Sequence, residues 1–231
     1  MRQPSKDPVK RRLWVTLLVL LVLLVGVGAL IAFLGDDDVA YESPNYRVTE
    51  ALEGVEIREY DPYVVAETDV DGSIEDAGNQ GFRILAKYIF GDNQAKTKVA
   101  MTAPVSQEKT TPGSEKIAMT APVTQERVGE QFTIQFMMPS KYTLDTLPTP
   151  NDTRIRFREV EGKRLAAIRY SGRWTERNYE EHLDELVATL RRNGYEPIGE
   201  PVWARYDPPF KPWFMRRNEI LTAFRQADGS S

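Results

Sequence analysis

The apolar positions of this sequence follow two kinds of pattern. Residues 13–34 form an apolar run of 22 residues without a charge, whereas beyond residue 45 apolar and polar residues alternate with the spacings of strands and helices. A helix of that length rises about 33 Å, enough to cross the roughly 30 Å hydrocarbon core of a bilayer. Lys10, Arg11 and Arg12 precede the run and three aspartates follow it. The positive-inside rule therefore predicts a transmembrane helix with a cytoplasmic N-terminus.

A cleaved signal peptide is the alternative interpretation of this run. Its apolar region is usually about 7–15 residues long and ends at a small-x-small cleavage site. Near the end of the run, Ala32 and Ala40 have Leu30 and Asp38 two positions before them. The length of the run and the poor cleavage sites favour an uncleaved anchor in the lipid bilayer.

The anchor divides the chain into five predicted segments. They are a basic cytoplasmic tail at 1–12, the transmembrane helix at 13–34, an acidic tether at 35–44, a folded domain at 45–225 and a short tail at 226–231. We therefore expect a single-pass membrane protein whose folded domain lies outside the cytoplasm. In a cell with an outer membrane, that compartment is the periplasm.

The first half of the folded domain has a strand-strand-helix order. Alternating apolar residues predict a pair of strands at 55–60 and 63–70. Turn-spaced apolar residues then predict a helix over about 73–90, and Gly91 is the glycine that commonly ends a helix.

The second half repeats this order. Paired strands are predicted at 154–160 and 164–170, followed by a helix over about 175–192 that ends before Gly194. The local sequence matches as well, since Ile-Arg-Glu in the first strand of one half parallels Phe-Arg-Glu in the other. The pattern predicts an internally duplicated, pseudo-twofold α+β domain.

A phrase of eleven residues appears twice between the two halves. "KVAMTAPVSQE" at 98–108 returns as "KIAMTAPVTQE" at 116–126, and the intervening "KTTPGS" carries the Pro-Gly of a turn. We interpret the copies as neighbouring strands of a hairpin where the halves meet. Pro104 and Pro122 should break or bend both strands at the same point, because proline cannot donate to a strand ladder.

The two methionines of this repeat leave two interpretations open. Met101 and Met119 occupy equivalent positions in the copies. They are either apolar core residues or a soft pocket wall, or thioether ligand, that faces a flat apolar molecule.

Composition and charge exclude several classes of function. The chain has 231 residues, a net charge of -4, no cysteine and one histidine. The mild acidity argues against a nucleic-acid partner, which would require a basic face. Disulfides, thiolate nucleophiles and cysteine-ligated metals are excluded. A metal site built from several histidines is excluded because the chain has only one histidine.

Three further segments are specific enough to indicate a family. They are "FMMPSKYTLDTLPTP" at 136–150, "IRYSGRWTE" at 168–176 and "ARYDPPFKPWFMRRNEI" at 204–220. Together with the doubled phrase, they resemble the SOUL/haem-binding protein family over about residues 46–224. The resemblance implies a distorted antiparallel β-barrel or strongly curved sheet with two α-helices. It also implies non-covalent binding of haem or a related tetrapyrrole in a shallow apolar site, for carrying, buffering or sensing.

The resemblance also implies which residues contact the ligand. Members that ligate haem through histidine place it near the early strands, and residues 56–67 contain none, so binding without histidine ligation is expected. Other members bind through the first helix and a loop near the C-terminus, which correspond to 82–93 and 206–219. The implied contacts are Phe82, Arg83, Lys87, Tyr88, Met101, Met119, Phe210, Lys211 and Trp213.

These residues have chemical roles in that interpretation, and each also has a structural alternative. Lys87, Lys211 and Arg83 would attract the ligand's carboxylates, although Asn79 stands where the family often has an arginine. The aromatic residues would lie against the macrocycle, or would belong to the core. Arg216 and Arg217 are better explained either as partners of nearby acids or as residues that hold the C-terminal strand.

Two other functions remain open. The fold resembles that of small-molecule effector-binding domains, so the domain could bind another small apolar ligand or a protein partner instead of haem. An enzyme would need a carboxylate such as Glu59, Glu67 or Glu159. His182 lies among four carboxylates that favour its charged form and is interpreted as a surface residue. We therefore expect a binding protein rather than an enzyme.

Overall fold

Eleven strands, two helices and one 3₁₀ turn make up residues 41–95 and 113–227, which this computed structural model describes. The helices are α1 (Ile74–Ile89) and α2 (Glu176–Arg192), and the 3₁₀ turn spans Trp213–Met215. The strands are β1 (Tyr46–Ala51), β2 (Val55–Tyr60), β3 (Tyr63–Val70), β4 (Asn93–Gln94), β5 (Val123–Val128), β6 (Gln131–Met137), β7 (Thr149–Pro150), β8 (Arg156–Val160), β9 (Arg164–Tyr170), β10 (Tyr195–Arg205) and β11 (Asn218–Gln226).

Nine of these strands form one antiparallel sheet in the order β1-β2-β9-β11-β10-β5-β6-β3-β8, and β4 pairs with β7 separately. The predicted α+β class, with two helices and a large antiparallel sheet, is confirmed. The prediction of a barrel is wrong. The edge strands β1 and β8 do not pair with each other, so the sheet remains open.

The strand order confirms the internal duplication. Exchanging β2 with β8, β3 with β9, β5 with β10 and β6 with β11 leaves the order β2-β9-β11-β10-β5-β6-β3-β8 unchanged when it is read from the other end. The two halves meet where β5 pairs with β10, with Gln125 opposite Trp203. We call this pairing the seam.

The predicted pairing of strands within each half is wrong. β2 pairs with β9 of the other half, and β3 pairs with β8. Tyr60, at the end of β2, donates its backbone N–H to the carbonyl of Lys163 just before β9. Alternation along a strand specifies which face is buried but not which strand lies beside it, so the exchange could not be seen in the pattern.

The repeated phrase has a different place from the one predicted. The second copy ends as β5, which begins directly after Pro122 as expected. However, β10 and β6 occupy both sides of β5, so a hairpin between β5 and the first copy is wrong. The first copy, with Met101, lies outside the described residues. Met119 is half-buried and packs against the core beneath α1.

Both helices pack on the same face of the sheet. Ser73 and Thr175 cap their N-termini by accepting backbone N–H groups at 3.2 and 3.3 Å. Their ends agree with the predicted helices to within a residue or two. A Cβ atom at Gly81 would clash with Ile134 of β6, so glycine is what allows α1 to lie so close to the sheet.

Trp203 joins the two helix cores. Its ring stacks on Phe132, beneath α1, with centroids 6.1 Å apart, and meets Tyr179 of α2 edge-on at 3.7 Å. The larger core lies under α1 and the smaller one under α2, and Trp203 packs against both. The seam is thus a packed junction and not only a pair of hydrogen-bonded strands.

The predicted membrane anchor at 13–34 lies outside the described residues. Among residues 41–95 and 113–227, no helix is long and apolar enough to cross a bilayer.

The face without helices carries a buried charge network. Glu219 of β11 is fully buried and accepts hydrogen bonds from Arg58 at 2.7 Å, from Arg217 at 2.8 Å and from Tyr206 at 2.8 Å. Burial alone would raise the pKa of Glu219, but the bonds and charges of the two arginines hold it below its ordinary value of 4.5. The expected pairing of Arg217 with a nearby acid is confirmed.

Glu219→Gln should lower the free energy of unfolding by about 3–5 kcal/mol at pH 7, because it leaves the buried charge of Arg58 without its main partner. Urea unfolding followed by circular dichroism measures this change. Glu56→Gln is the matched control, since Glu56 also pairs with Arg58 but is 44% exposed. That change should cost less than about 1 kcal/mol.

The same carboxylate should contribute to acid sensitivity. Its pKa is lower in the folded protein than in the unfolded chain, so it stabilises the fold above about pH 4.5. This contribution is lost as the pH falls below that value. The unfolding midpoint of the wild type should therefore drop more steeply in acid than that of Glu219→Gln, and parallel pH profiles would contradict this assignment.

Candidate ligand-binding site

Three of the residues implied as ligand contacts belong to the core. Tyr88 is fully buried, and its hydroxyl donates to the carbonyl of Pro148 at 3.0 Å. Phe82 is half-buried, with its ring 5.4 Å from that of Phe136, and Met119 packs against the same core. Tyr88 therefore offers a ligand no surface, and the other two offer only an edge.

The cations implied for the ligand's carboxylates lie on separate elements. Arg83 and Lys87 are exposed on α1, with Lys87 in its last turn. The hydrogen bond from Arg154 lowers the pKa of Asp152 to about 2, and the charge of Lys87 adds a smaller contribution. Lys211 lies in the loop between β10 and β11, with its Nζ 2.7 Å from Asp207. Its charge is therefore largely neutralised within the protein.

That loop presents the most prominent exposed apolar surface of the described residues. We call residues 206–217 the aromatic loop. The exposed fractions are 87% for Phe210, 49% for Trp213, 59% for Phe214 and 37% for Met215. Two of the predicted contacts are thus solvent-facing rings, as a shallow apolar site requires.

Hydrogen bonds from inside and outside the loop fix its shape. Arg216 donates to the carbonyls of Lys211 at 2.8 Å and Pro209 at 2.5 Å, and the backbone N–H of Gly172 donates to the carbonyl of Trp213 at 3.0 Å. Arg216 therefore holds the loop together from within. These bonds engage several backbone polar groups of the loop that carries the rings, which favours a preformed surface.

Three guanidinium groups surround the base of the loop. Arg173 lies over the ring of Trp213 at 5.7 Å, while Arg216 and Arg205 lie over the ring of Trp174 at 4.4 and 5.0 Å. We call Arg173, Arg205 and Arg216 the arginine cluster. In the part of the chain that the structure describes, none of them forms an ion pair. The cluster therefore carries positive charge available to an anion.

Arg205 connects this cluster to the seam. Burial lowers its pKa to about 10, so it remains charged at neutral pH. It donates to Gln125 at 3.2 Å, and Gln125 in turn donates to the carbonyl of Ile74 at the start of α1. A Cβ atom at Gly78 would lie 2.5 Å from the Arg205 guanidinium, so a glycine here makes room for it. Arg205 thus lies where both halves and the start of α1 meet.

Sequence reasoning missed most of this cluster. Arg173 and Trp174 lie in a segment that the resemblance singled out, but no role was assigned to them. Arg205 ends a strand and had no distinguishing local feature. The alternation of aromatic and basic residues around Trp174 and Trp213 was the available signal, and only the fold brings these segments together.

His182 is half-buried and not a simple surface residue. Its Nδ1 lies 2.6 Å from the carbonyl oxygen of Asn178, and its ring stacks on Tyr170 with centroids 4.2 Å apart. Both the ring face and one nitrogen are therefore already in use.

The carboxylates considered for an enzyme are dispersed. Glu59 and Glu159 are exposed, whereas Glu67 is buried and accepts hydrogen bonds from Arg156 at 2.8 Å and from Arg158 at 3.0 Å. This arrangement is typical of a structural ion-pair network.

Comparison with known proteins places these features in a family. The sequence model described as SOUL heme-binding protein matches residues 41–223. This chain belongs to the SOUL heme-binding protein family. It is 26% identical over 187 residues to mouse Heme-binding protein 1, covering 80% of this chain and 85% of the relative. It is 29% identical over 195 residues to human Heme-binding protein 2, covering 78% and 88%.

Solved structures share the fold of this family member at lower identity. The EcmrR C-terminal domain superposes with a TM-score of 0.52 at 12% identity, covering 79% of this chain and 99% of that one. A hydrolase from Listeria innocua superposes with a TM-score of 0.52 at 10% identity, covering 77% and 94%. At these identities the likeness shows the fold alone.

Replacing each of two tryptophans should show which one the folded structure needs for its stability. Trp213→Ala should change the free energy of unfolding by less than about 0.5 kcal/mol, because its ring is half exposed on the aromatic loop. Trp203→Ala should cost about 3–5 kcal/mol, because it removes the contact between the two helix cores. Urea unfolding followed by circular dichroism measures both. Equal losses would contradict the description of the loop as a surface that the fold does not need.

Proposed function

We propose that this SOUL-family domain binds haem or a related tetrapyrrole non-covalently on the aromatic loop, with the ligand's carboxylates held by the arginine cluster. The observation that carries the proposal is the combination of exposed aromatic rings with guanidinium groups that have no carboxylate partner among residues 41–95 and 113–227. Family membership supports the ligand class. The role would be to carry, buffer or sense the tetrapyrrole.

The aromatic loop suits the apolar face of a macrocycle. Trp213 and Phe214 meet edge-on with centroids 5.6 Å apart, and Phe210 extends almost fully into solvent beside them. Covering these rings with a flat apolar ligand removes about 25 cal/mol of unfavourable hydration for each Å² buried. A shallow site of this kind needs no enclosed cavity.

The arginine cluster suits the carboxylates of a tetrapyrrole. A guanidinium forms two parallel hydrogen bonds with a carboxylate, and such charge-assisted bonds are stronger than neutral ones. Arg173 is exposed and lies beside Trp213, so it is the member best placed to pair with a ligand on the loop. This assignment replaces Lys87 and Lys211 as the principal cations.

Binding would proceed without histidine ligation. His182 is the single histidine of the chain, and its ring is engaged by Tyr170 and by the carbonyl of Asn178. Its Nε2 is the nitrogen left for a ligand, and we propose that it does not coordinate iron, because the exposed rings that would carry the ligand belong to the aromatic loop and not to α2. The residues present therefore fit a tetrapyrrole held by its periphery, with any iron left to other ligands.

We also propose that residues 13–34 anchor the protein in a membrane and that the folded domain lies outside the cytoplasm. The uncharged run at 13–34 and the basic residues before it support a single-pass protein with this domain outside the cytoplasm. We also propose a binding role without catalysis. The dispersed carboxylates and the engagement of His182 support that view.

Haemin titration of the full chain in a neutral maltoside detergent tests the site. The wild type should show saturable one-to-one binding by absorbance. Trp213→Ala and Arg173→Gln should each weaken binding about fivefold to tenfold, through the lost stacking and the lost carboxylate contact. Lys87→Gln is the matched control for charge, and His182→Ala the control for ligation. Both should leave the affinity and the spectrum unchanged.

Haemin dimethyl ester separates the two contributions. Esterification removes the carboxylate charges, so the ester should bind the wild type more weakly, and Arg173→Gln should cause no further loss with it. Non-saturating binding that detergent alone reproduces would overturn the proposal. A loss of binding in His182→Ala would overturn the absence of histidine ligation.

A further inference from the structure

A cavity lies between α2 and the strands of the seam, and no residue of the aromatic loop lines it. Its volume is about 240 Å³. Its apolar lining includes Phe132 of β6, Tyr179 and Leu183 of α2, and Trp203 of β10. We call this cavity the central groove. Three aromatic rings from three different elements meet in it, as in sites that enclose a small ligand.

The charges around the groove are mainly negative. Glu176 and Glu180 come from the first two turns of α2, and Glu200 comes from the irregular part of β10. In the part of the chain that the structure describes, none of these three carboxylates forms an ion pair. Glu176 and Glu180 are four residues apart on one helix face, where like charges repel. A cation in the groove would relieve that repulsion.

One cation of the protein already uses the groove's aromatic surface. The guanidinium of Arg127 lies over the ring of Phe132 at 4.5 Å from the centroid. Arg127 is exposed and is the single basic residue among those lining the groove. Its position shows that the face of Phe132 accepts a positive charge, while Tyr179 and Trp203, which contact each other, form the rest of the aromatic lining.

We propose that the central groove binds a compact organic cation, such as a quaternary ammonium group. Aromatic faces attract such cations through the ring quadrupole, and nearby carboxylates add a longer-range attraction. The same charges repel carboxylate-bearing ligands, so this site and the arginine cluster would select ligands of opposite charge. The small volume limits the occupant to a few carbon atoms around the charged centre.

Choline and its uncharged isostere 3,3-dimethylbutan-1-ol test the proposal, because they differ in charge but hardly in shape. The full chain, labelled with ¹⁵N in a neutral maltoside detergent, is titrated with each while the indole N–H signals are followed by NMR. Trp203→Phe identifies the relevant signal. We expect a saturable shift of the Trp203 signal with choline, at a Kd in the millimolar range, and at least fivefold weaker binding of the neutral isostere.

Substitutions in the groove should change the affinity for choline in opposite directions. Glu200→Gln and Glu176→Gln should each weaken choline binding about threefold to fivefold. Arg127→Gln should tighten it by a similar factor, because it removes a like charge and frees the face of Phe132. Glu185→Gln is the matched control, since Glu185 is an exposed glutamate of α2 that does not line the groove.

Three results would overturn the inference. They are equal binding of choline and the isostere, a response of Glu185→Gln equal to that of the groove glutamates, and weaker binding after Arg127→Gln. Each is independent of haemin binding at the aromatic loop, so this proposal and the tetrapyrrole proposal can fail separately.

Discussion

The pairing of β5 with β10 is the constraint on which the rest of this structure depends. This pairing joins the two halves through an antiparallel ladder in which Gln125 lies opposite Trp203. Each of these two side chains contacts residues of both halves. Trp203 packs against the cores of α1 and α2. Gln125 reaches the first turn of α1 and supports Arg205. The helices are therefore positioned by the strands between them.

Strand exchange makes the two halves inseparable. β2 and β8 each complete the sheet of the opposite half, and the buried Arg58 of β2 meets Glu219 of β11, also in the opposite half. A charge buried this deeply is stabilised only by its partner, so the network specifies the pairing as well as contributing to stability. On the helix face, aromatic packing around Trp203 joins the two cores.

The two candidate sites both adjoin this junction and have opposite electrostatic character. The arginine cluster and the aromatic loop form an exposed surface that attracts carboxylates, and Arg205 links it to the seam. The central groove places carboxylates around aromatic rings beside α2. Both sites draw mainly on the second half of the domain, through α2, β10 and the loops beside them.

The sequence by itself determined the elements and much of the site's composition. The periodicity of α1 and α2, their serine and threonine caps and the glycines after them are local features, so the helices and the duplicated α+β order could be predicted. Exposed loop residues such as Phe210 and Trp213 could be named because their segment is distinctive. Only the tertiary structure decided that β2 and β8 change halves, that Tyr88 is fully buried and that Arg173, Arg205 and Arg216 converge on two indole rings. These outcomes depend on contacts between residues far apart in the chain, and the alternation of apolar residues records which face is buried without recording the partner.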